Sequence, residues 1–317
     1  MRKQFTSSLL MIQPVAFRFN EQTAENNYYQ KVLKGVTPDQ VQSFALKEFN
    51  DFVHILESNG VEVVVVKDSL YPSTPDSIFP NNWISFHQDG RIALYPMCAR
   101  NRRLERRLDI LDILKEKHNF MVHDIIDFSH YEKKDIFLEG TGSMLLDREN
   151  KIAYAALSLR TDVLILQEFC KTFDYIPHSF VSNQTVGEER LAIYHTNVMM
   201  CLADTFVVLC AETIDDILER NNLIKRLEST GKEIIYISED QKHRFAGNML
   251  QVCNNDLERF LVMSRSAHKA LTTKQINQIE KHCSILSSSL DTIEACGGGS
   301  ARCMMAEVFL PKNNINK

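Results

Sequence analysis

A cysteine that follows three consecutive glycines is the strongest candidate nucleophile in the sequence. Cys303 closes the run Gly-Gly-Gly-Ser-Ala-Arg-Cys over residues 297–303. Glycine permits close backbone approaches that larger residues forbid, so such a loop can surround a thiol with backbone N–H groups and leave room for a substrate. The same run is typical of a glycine helix end followed by a buried cysteine on a strand over residues 304–310. Further residues must decide between these two interpretations.

Two further residues could move protons for this thiol. His195 lies in Tyr-His-Thr-Asn, between two stretches of strand-forming residues. An imidazole with a pKa of about 6.5 can donate a proton to a leaving amine and later accept one from water. Glu139, in Leu-Glu-Gly-Thr-Gly, could orient that histidine and stabilise its charge. Each also has a structural alternative: a histidine whose hydrogen bonds are satisfied in the core, and a turn carboxylate that caps glycines.

Asp76 is the candidate for binding the group under attack. It lies in Pro-Asp-Ser-Ile-Phe-Pro-Asn-Asn-Trp, residues 75–83. An ionised carboxylate offers two acceptor oxygens and matches a planar N–C–N fork, although an aspartate in this context is also a common turn residue. Asn248, in Phe-Ala-Gly-Asn-Met-Leu, is the polar residue of a similar segment.

These polar residues recur at similar intervals. Asp76, Glu139, His195, Asn248 and Cys303 are separated by 63, 56, 53 and 55 residues. A period of this size indicates repeated supersecondary units. The spacing predicts five α/β units, each with strands, a helix and one polar residue at a strand end. We expect the units to form a ring in which each presents its polar residue toward a shared centre.

Local signals predict several of the elements that would carry these residues. Thr37-Pro38-Asp39-Gln40 combines an N-cap, a proline at the first helical position and a capping-box glutamine, for a helix that ends near Asn59-Gly60. The β-branched run over residues 61–66 predicts a strand directly after it. The same order of helix and strand recurs over residues 215–229 and 233–237. Further helices are predicted over residues 101–117, from Thr161 as N-cap, and from Thr272-Thr273.

Composition and charge narrow the class of protein. The 317 residues are 44% hydrophobic and 24% charged, which is typical of a globular protein with a sizeable core. No linker or low-complexity stretch divides the chain, so we expect one catalytic domain over residues 1–317. The formal net charge of -5 argues against a nucleic-acid partner. The one basic cluster, residues 100–107, is predicted to be a solvated helix face rather than a ligand site.

Neither a membrane nor a metal is indicated. No apolar run approaches the roughly 18 residues that span a bilayer, and residues 1–5 lack the apolar core of a signal peptide, so a cytoplasmic protein is expected. The eight cysteines include no Cys-x-x-Cys pair, which argues against a zinc cluster or a disulfide framework. The glycine run precedes Cys-Met rather than Lys-Ser or Lys-Thr, so no phosphate-cradling loop is predicted. We expect no cofactor and no metal.

Taken in order, the candidate residues resemble a known set. Asp76, Glu139-Gly, His-x-Asn at 195–197 and Gly-Gly-Gly-x-x-x-Cys303 resemble the guanidino-group-modifying enzymes of the pentein superfamily. That superfamily includes arginine deiminases, dimethylarginine hydrolases and glycine amidinotransferases. The runs over residues 10–17 and 23–27, and His-Thr-Asn-Val-Met-Met from residue 195, are most similar to bacterial citrulline utilisation hydrolases. The resemblance covers residues 8–310 and implies a five-bladed α/β propeller of ββαβ repeats.

The resemblance also implies roles for the matching residues. Cys303 would be the nucleophile, His195 the acid/base and Glu139 the partner of that histidine. Asp76 would contact the planar group under attack. Arg160, in Ser-Leu-Arg-Thr, resembles an arginine that binds the substrate's α-carboxylate in arginine deiminases.

One position departs from the pattern of arginine deiminases. Those enzymes carry a second carboxylate two residues after the catalytic histidine, and here that position is Asn197. Asparagine has no charge and offers one acceptor and two N–H donors, so it suits a neutral ureido carbonyl better than a guanidinium. A missing partner is costly in a desolvated pocket. Asn248 and Arg302 are other plausible substrate contacts, without an assigned role.

The expected reaction is therefore the hydrolysis of citrulline to ornithine, ammonia and carbon dioxide through a covalent intermediate on Cys303. The alternatives are an arginine or methylated-arginine hydrolase, and an amidinotransferase that passes its covalent intermediate to an amine. A non-catalytic binding protein of the same fold is a further alternative, but such proteins lack the nucleophile. The expected partner is a small amino acid, and a homo-oligomer is compatible with the sequence.

Overall fold

The structure is a computed structural model that describes residues 3–313. The predicted domain of residues 1–317 includes residues 1–2 and 314–317, which lie outside the described residues. The strands are β1 (Ser8–Gln13), β2 (Glu62–Lys67), β3 (Ile84–Phe86), β4 (Arg91–Leu94), β5 (Asp124–Asp127), β6 (Leu145–Asp147), β7 (Ile152–Leu157), β8 (Ile176–Val181), β9 (Asn183–Val186), β10 (Glu189–Ala192), β11 (Met200–Leu202), β12 (Phe206–Leu209), β13 (Glu233–Tyr236), β14 (Leu250–Cys253), β15 (Arg259–Ser264), β16 (Ser284–Ser288) and β17 (Ala306–Glu307).

The helices connect and cover these strands. They are α1 (Glu21–Ala24), α2 (Pro38–Ser58), α3 (Asp109–His118), α4 (Gly140–Ser143), α5 (Val163–Phe173), α6 (Ile217–Ser229), α7 (Glu239–Lys242), α8 (Arg265–Ala270), α9 (Thr273–Glu280) and α10 (Asp291–Gly297). Short 3-10 helices occupy Pro80–Asn82, Arg100–Glu105, Ser129–Lys134, Thr196–Val198, Ala211–Thr213 and Ala301–Met304.

Five of the six sheets in the described part of the chain share one pattern. Their strand orders are β17-β1-β2, β3-β4-β5, β6-β7-β8, β11-β12-β13 and β14-β15-β16. In each sheet the first two strands are antiparallel and the last two are parallel. Parallel neighbours need a crossover connection, and at least one helix lies between the second and third strand of every sheet. The five units predicted from the spacing correspond to these five sheets.

The two ends of the described chain meet in one sheet. Strand β17 pairs antiparallel with β1, with Leu9 opposite Glu307, and β1 pairs parallel with β2. The first strands of neighbouring sheets also touch, since β17 contacts β3, β6 contacts β11, and β11 contacts β14. The sixth sheet is the hairpin β9-β10, which the sequence signals did not predict.

Local sequence signals determine where helix α2 begins and ends and which face it buries. Thr37 caps it with both bonds of a capping box to Gln40, and the helix ends before Gly60, whose φ of +80° favours glycine. These boundaries confirm the prediction. The buried residues recur every three or four positions along one face of the helix: Val41, Ala45, Phe49, Phe52, Val53 and Leu56. That face packs on β2, β16 and α10.

Three predicted elements differ from the structure. The helix predicted over residues 101–117 is a 3-10 helix, Arg100–Glu105, followed by the separate α3. Arg102 and Glu105 form a buried ion pair. They are three residues apart, and a 3-10 helix places such residues on the same side. The predicted surface position of this cluster is therefore wrong for Arg102.

The other two differences are smaller. Helix α5 is capped by Asp162, whose side chain accepts from the Leu164 N–H, rather than by Thr161. Thr161 instead forms backbone bridges to Leu138 and Ser158, which keep it extended. The strand predicted over residues 304–310 is only β17 (Ala306–Glu307), because a 3-10 turn precedes it.

All eight cysteines are free thiols. Within residues 3–313, no helix combines the length and apolar character needed to cross a bilayer.

Candidate active site

Cys303 lies in the 3-10 helix Ala301–Met304, directly after α10 and the glycine run. Gly298 ends α10 with a φ of +62°, which side-chain-bearing residues rarely adopt. A Cβ on Gly299 would lie 2.9 Å from the Phe79 ring and 3.3 Å from the Cβ of Cys303. Backbone direction and close packing on the thiol therefore both require the glycines. The Cys303 residue itself is 6% exposed.

Two side-chain amides donate to the sulfur. Asn248 Nδ2 is 3.3 Å and Asn197 Nδ2 is 3.5 Å from Sγ of Cys303. The backbone N–H of Arg302 donates to Asn248 Oδ1 over 3.1 Å, which fixes the direction of that amide. Neither asparagine lines the cavity beside the thiol. The structure thus brings both residues to the sulfur, where their N–H groups stabilise negative charge.

His195 and Glu139 form a buried pair on another side of the cavity. His195 Nε2 is 2.8 Å from Glu139 Oε2, and both residues are at most 3% exposed. Burial lowers the pKa of His195 to about 4, although the hydrogen bond to Glu139 acts in the opposite direction. Burial also acts to raise the pKa of Glu139. The Arg160 guanidinium and the hydrogen bond from His195 outweigh it and keep that pKa well below its ordinary value.

These shifts define the protonation state of the site. A neutral imidazole beside an ionised Glu139 carries its proton on Nε2, so Nδ1 of His195 holds the free lone pair. A Cβ atom added to Gly142 would lie 2.9 Å from Nδ1 of His195 and 2.3 Å from Nδ2 of Asn82. Only a glycine at residue 142 allows these two side chains to occupy this space together.

Asn82 is a site residue that the sequence did not single out. Its Oδ1 accepts a hydrogen bond from Arg102 Nη1 over 2.9 Å. Its Nδ2 is buried without a hydrogen-bond partner among the described residues, and the residue lines the cavity with Cys303 and His195. The Asn-Asn pair within residues 75–83 was visible in the sequence, but the direction of the amide depends on Arg102.

Asp76 keeps one oxygen unused. Its Oδ2 accepts from Asn20 Nδ2 over 2.7 Å and from Thr23 Oγ1 over 3.0 Å. Its Oδ1 is buried and has no hydrogen-bond partner in the described part of the chain. Burial raises the pKa of Asp76, while the charge of Arg102 opposes that shift. Asp76 can therefore accept an N–H from a molecule in the cavity through a single oxygen.

Arg160 is already engaged in this structure. Its Nε donates to Asn26 Oδ1 over 2.8 Å, its Nη2 donates to the same oxygen and to Thr23 O, and its Nη1 lies 3.4 Å from Glu139 Oε2. The guanidinium carbon is 4.9 Å from the centre of the Tyr194 ring. The residue predicted to hold an α-carboxylate is thus at the site, and an amide oxygen of the chain occupies its donors.

Tyr194 is a second residue that the sequence did not single out. Its hydroxyl donates to Gly298 O over 2.8 Å, which ties the glycine run to the segment that carries His195. Its only sequence signal was its place directly before that histidine.

Residues 20–30, which we call the strap, pack against the glycine run beside Cys303. Asn27 Nδ2 lies 3.3 Å from the carbonyl oxygens of Gly297 and Gly298, and Gln30 Nε2 donates to Cys296 O over 3.1 Å. The cavity beneath the strap has a volume of about 20 Å³. That volume holds a water molecule and not an amino acid, so the residues that line the cavity, Thr23 and Asn27 of the strap among them, must rearrange for a substrate to bind.

Among residues 3–313, no group of three or more His, Cys, Asp and Glu side chains is arranged to hold a metal ion. The cations at the cavity are instead the guanidinium groups of Arg102 and Arg160, both buried.

The match of a family model to most of the chain makes it a member of the pentein superfamily, whose cysteine-dependent enzymes hydrolyse C–N bonds other than peptide bonds. A family model described as N,N dimethylarginine dimethylhydrolase, eukaryotic, matches residues 13–310. The chain belongs to that family. No curated protein matches the chain.

Solved structures share the fold at low sequence identity. Apo ArgZ, an arginine dihydrolase from the ornithine-ammonia cycle in cyanobacteria, has a TM-score of 0.70 at 17% identity, over 96% of this chain and 41% of that one. The N-terminal domain of ArgZ, as a cysteine-to-serine variant bound to substrate, has a TM-score of 0.69 at 18% identity, over 96% and 99%. A dimethylarginine dimethylaminohydrolase adduct with S-methyl-L-thiocitrulline has a TM-score of 0.62 at 11% identity, over 97% and 100%. This chain spans about two fifths of the ArgZ chain in the apo structure.

Proposed function

We propose that the protein hydrolyses the ureido group of citrulline to ornithine, ammonia and carbon dioxide, with Cys303 as the nucleophile. One observation carries this proposal. The cavity has one fixed, unpartnered donor, Asn82 Nδ2, and one unpartnered carboxylate oxygen, Asp76 Oδ1. A ureido group has a carbonyl oxygen that needs a donor and N–H groups that need acceptors, so both atoms gain a partner.

A guanidinium group fits this pair less well. It carries five N–H donors and no acceptor, so it would leave Asn82 Nδ2 buried without a partner. An unsatisfied buried donor costs about 1–3 kcal/mol. The sequence suggested that Asn197 would bind the ureido carbonyl. In the structure its amide nitrogen contacts the sulfur of Cys303 instead. The preference for a ureido group therefore rests on Asn82.

The chemistry would run in two steps. The Cys303 sulfur forms a bond to the ureido carbon, one C–N bond breaks, and the departing nitrogen takes a proton that passes through His195. Water then attacks the S-carbamoyl carbon, and His195 Nδ1 accepts a proton from that water as the C–S bond breaks. The released carbamate separates into carbon dioxide and the second amine. One water is consumed for each citrulline.

The neighbouring side chains would support these steps. The amides of Asn197 and Asn248 stabilise the thiolate before attack and after release. Glu139 holds the imidazole of His195 in one tautomer and stabilises its protonated form. Arg160 would bind the α-carboxylate of the substrate once it exchanges Asn26 Oδ1 for a carboxylate oxygen.

Arginine or a methylated arginine is the second candidate substrate. Two carboxylates, Asp76 and Glu139, lie at the cavity or directly behind it, and anions suit a cationic guanidinium. The family model describes a dimethylarginine hydrolase, and ArgZ is described as an arginine dihydrolase.

We propose further that residues 1–317 form one catalytic domain, and that the five sheets are the blades of an α/β propeller around this site.

Product analysis separates the candidates. Purified protein is incubated with L-citrulline, L-arginine and asymmetric dimethylarginine in turn, and ornithine, citrulline and ammonia are measured. We expect ornithine from citrulline and little product from the two guanidino compounds. Conversion of arginine or dimethylarginine without any ornithine from citrulline would refute the ureido proposal and leave the cysteine hydrolase in place.

A further inference from the structure

A second and much larger cavity adjoins the strap. Its volume is about 510 Å³, against about 20 Å³ for the cavity at Cys303. Pockets that bind small molecules typically measure about 300–1,000 Å³. We call it the side pocket; the residues used below to define its chemistry are Arg18, Glu21, Val32, Leu33, Val36 and Val41.

The lining combines one apolar wall with two opposite charges. Val32, Leu33, Val36 and Val41 supply the apolar wall, and Val32 is 67% exposed. Such an uncovered aliphatic side chain gains from any apolar group that covers it.

The two charges come from either end of one short segment. The Arg18 guanidinium donates to Ala16 O over 3.0 Å and to Ser73 Oγ over 2.7 Å, which holds it in one direction. Glu21, at the first position of α1, adds a carboxylate. A guanidinium matches a carboxylate of a ligand, and a carboxylate matches an ammonium.

The side pocket is connected to the catalytic centre through Asn20. Asn20 lines the side pocket and donates through Nδ2 to Asp76 Oδ2 over 2.7 Å. Its Oδ1 accepts from Asn101 Nδ2 over 2.8 Å, and Asn101 also lines the side pocket. The same asparagine therefore touches both the side pocket and the carboxylate proposed to bind the substrate.

We propose that the side pocket is a regulatory site for an amino acid with a branched aliphatic side chain. The ligand carboxylate would pair with Arg18, its ammonium with Glu21, and its side chain would cover the valines. The side pocket is built partly by residues 20–22 of the strap in the conformation of this structure, which we call closed. A ligand that fits this arrangement favours the closed strap over the open one and so slows substrate binding and product release. This inference does not depend on which substrate is turned over.

Binding to the free protein tests the proposal directly. Calorimetric titration with L-leucine is carried out on the wild type, on Val32→Trp and on Val181→Trp. Val181 is also an exposed valine, but it does not line the side pocket. We expect L-leucine to bind the wild type and Val181→Trp with similar affinity, and the affinity of Val32→Trp to be at least tenfold lower because the indole fills the pocket.

Analogues of leucine test which groups of the ligand the side pocket binds. Glycine lacks the side chain and N-acetyl-L-leucine lacks the ammonium, so each should bind at least tenfold more weakly than L-leucine. Arg18→Gln should weaken L-leucine binding and offers a second variant if Val32→Trp does not fold, as judged by circular dichroism. Absence of leucine binding to the wild type at millimolar concentration would overturn the proposal, as would equal binding of glycine and leucine.

Hydrogen exchange tests the coupling to the strap. Bound L-leucine should slow amide exchange in residues 20–30 of the wild type. Leucine binding without any change in exchange of these residues would rule out the regulatory role.

Discussion

The guanidinium of Arg102 fixes the direction of the Asn82 amide, because Nη1 donates to Asn82 Oδ1 over 2.9 Å. An arginine side chain has no acceptor, so the opposite amide orientation would set donors against each other. The nitrogen of Asn82 therefore points away from Arg102, where it has no hydrogen-bond partner among residues 3–313. Together with the free oxygen of Asp76, this nitrogen gives the cavity one donor and one acceptor.

Asn82→Asp exchanges this donor for an acceptor while it keeps the oxygen that Arg102 holds. We expect kcat/KM for citrulline to fall by about tenfold to a hundredfold, the equivalent of about 1–3 kcal/mol for a buried carbonyl without its partner. Activity on arginine should rise because the cavity gains a negative charge. Steady-state assays with both substrates measure the change. Asn50→Asp, which adds the same charge at an exposed position, should leave both activities unchanged, and a preserved preference for citrulline in Asn82→Asp would contradict the assignment.

Cys303→Ala removes the proposed nucleophile and should abolish turnover. The side chain is small and belongs to a short 3-10 helix, so we expect the unfolding temperature to change little. Rapid mixing followed by mass spectrometry should find a covalent adduct on the wild type and none on this variant. Cys98→Ala, at a half-buried thiol near Glu139, is the matched control and should stay active. Full activity in Cys303→Ala would exclude the assigned nucleophile.

Gly142→Ala should damage the site more than the fold. The added methyl group would lie 2.3 Å from Asn82 Nδ2 and 2.9 Å from His195 Nδ1, so both side chains must shift. We expect kcat to fall by at least about tenfold, since proton transfer depends on the position of His195. In the control Gly231→Ala, the methyl group meets no atom within 4 Å, but the φ of +75° strains it. That control should lose about 1 kcal/mol of stability and keep its kcat; equal effects of both changes on kcat would refute the positional argument.

The depressed pKa of His195 predicts a loss of stability on mild acidification. Burial lowers this pKa to about 4 in the folded protein, against about 6.5 in the unfolded chain. Between these values the unfolded chain binds more protons, so the free energy of unfolding falls as the pH falls through this window. From about pH 7 to about pH 5, the wild type should lose about 2 kcal/mol more than His195→Asn. Urea unfolding at each pH measures this difference, and parallel pH profiles of the two proteins would show that His195 is not buried in its neutral form.

The helix boundaries were predictable where the signals are local. The helices predicted to begin at Thr37 and near Thr272-Thr273 both begin there, and in the structure each begins with a capping box. The prediction of one helix over residues 101–117 was wrong because a long-range contact outweighs the local helix signals. Arg102 points into the protein and donates to Asn82. Its buried ion pair with Glu105 fits a 3-10 turn, and the spacing of apolar residues in the sequence does not indicate it.

The candidate site was predictable in its residue types and not in its hydrogen bonds. Residue type and local motif singled out Cys303 and His195, and both line the cavity. Asn197 was also singled out, but its contact with the sulfur depends on how neighbouring turns meet. Asn20 and Thr23 were missed, because their bonds to Asp76 join segments more than 50 residues apart.

The pairing of β17 with β1 has a consequence for how the enzyme is made. Cys303 lies just before β17, the strand that pairs with β1 from the first part of the chain. A ribosome-bound chain that has formed only the four three-stranded sheets between β3 and β16 therefore lacks the sulfur of Cys303. The site can therefore be completed only after the residues of the four other sheets have been synthesised.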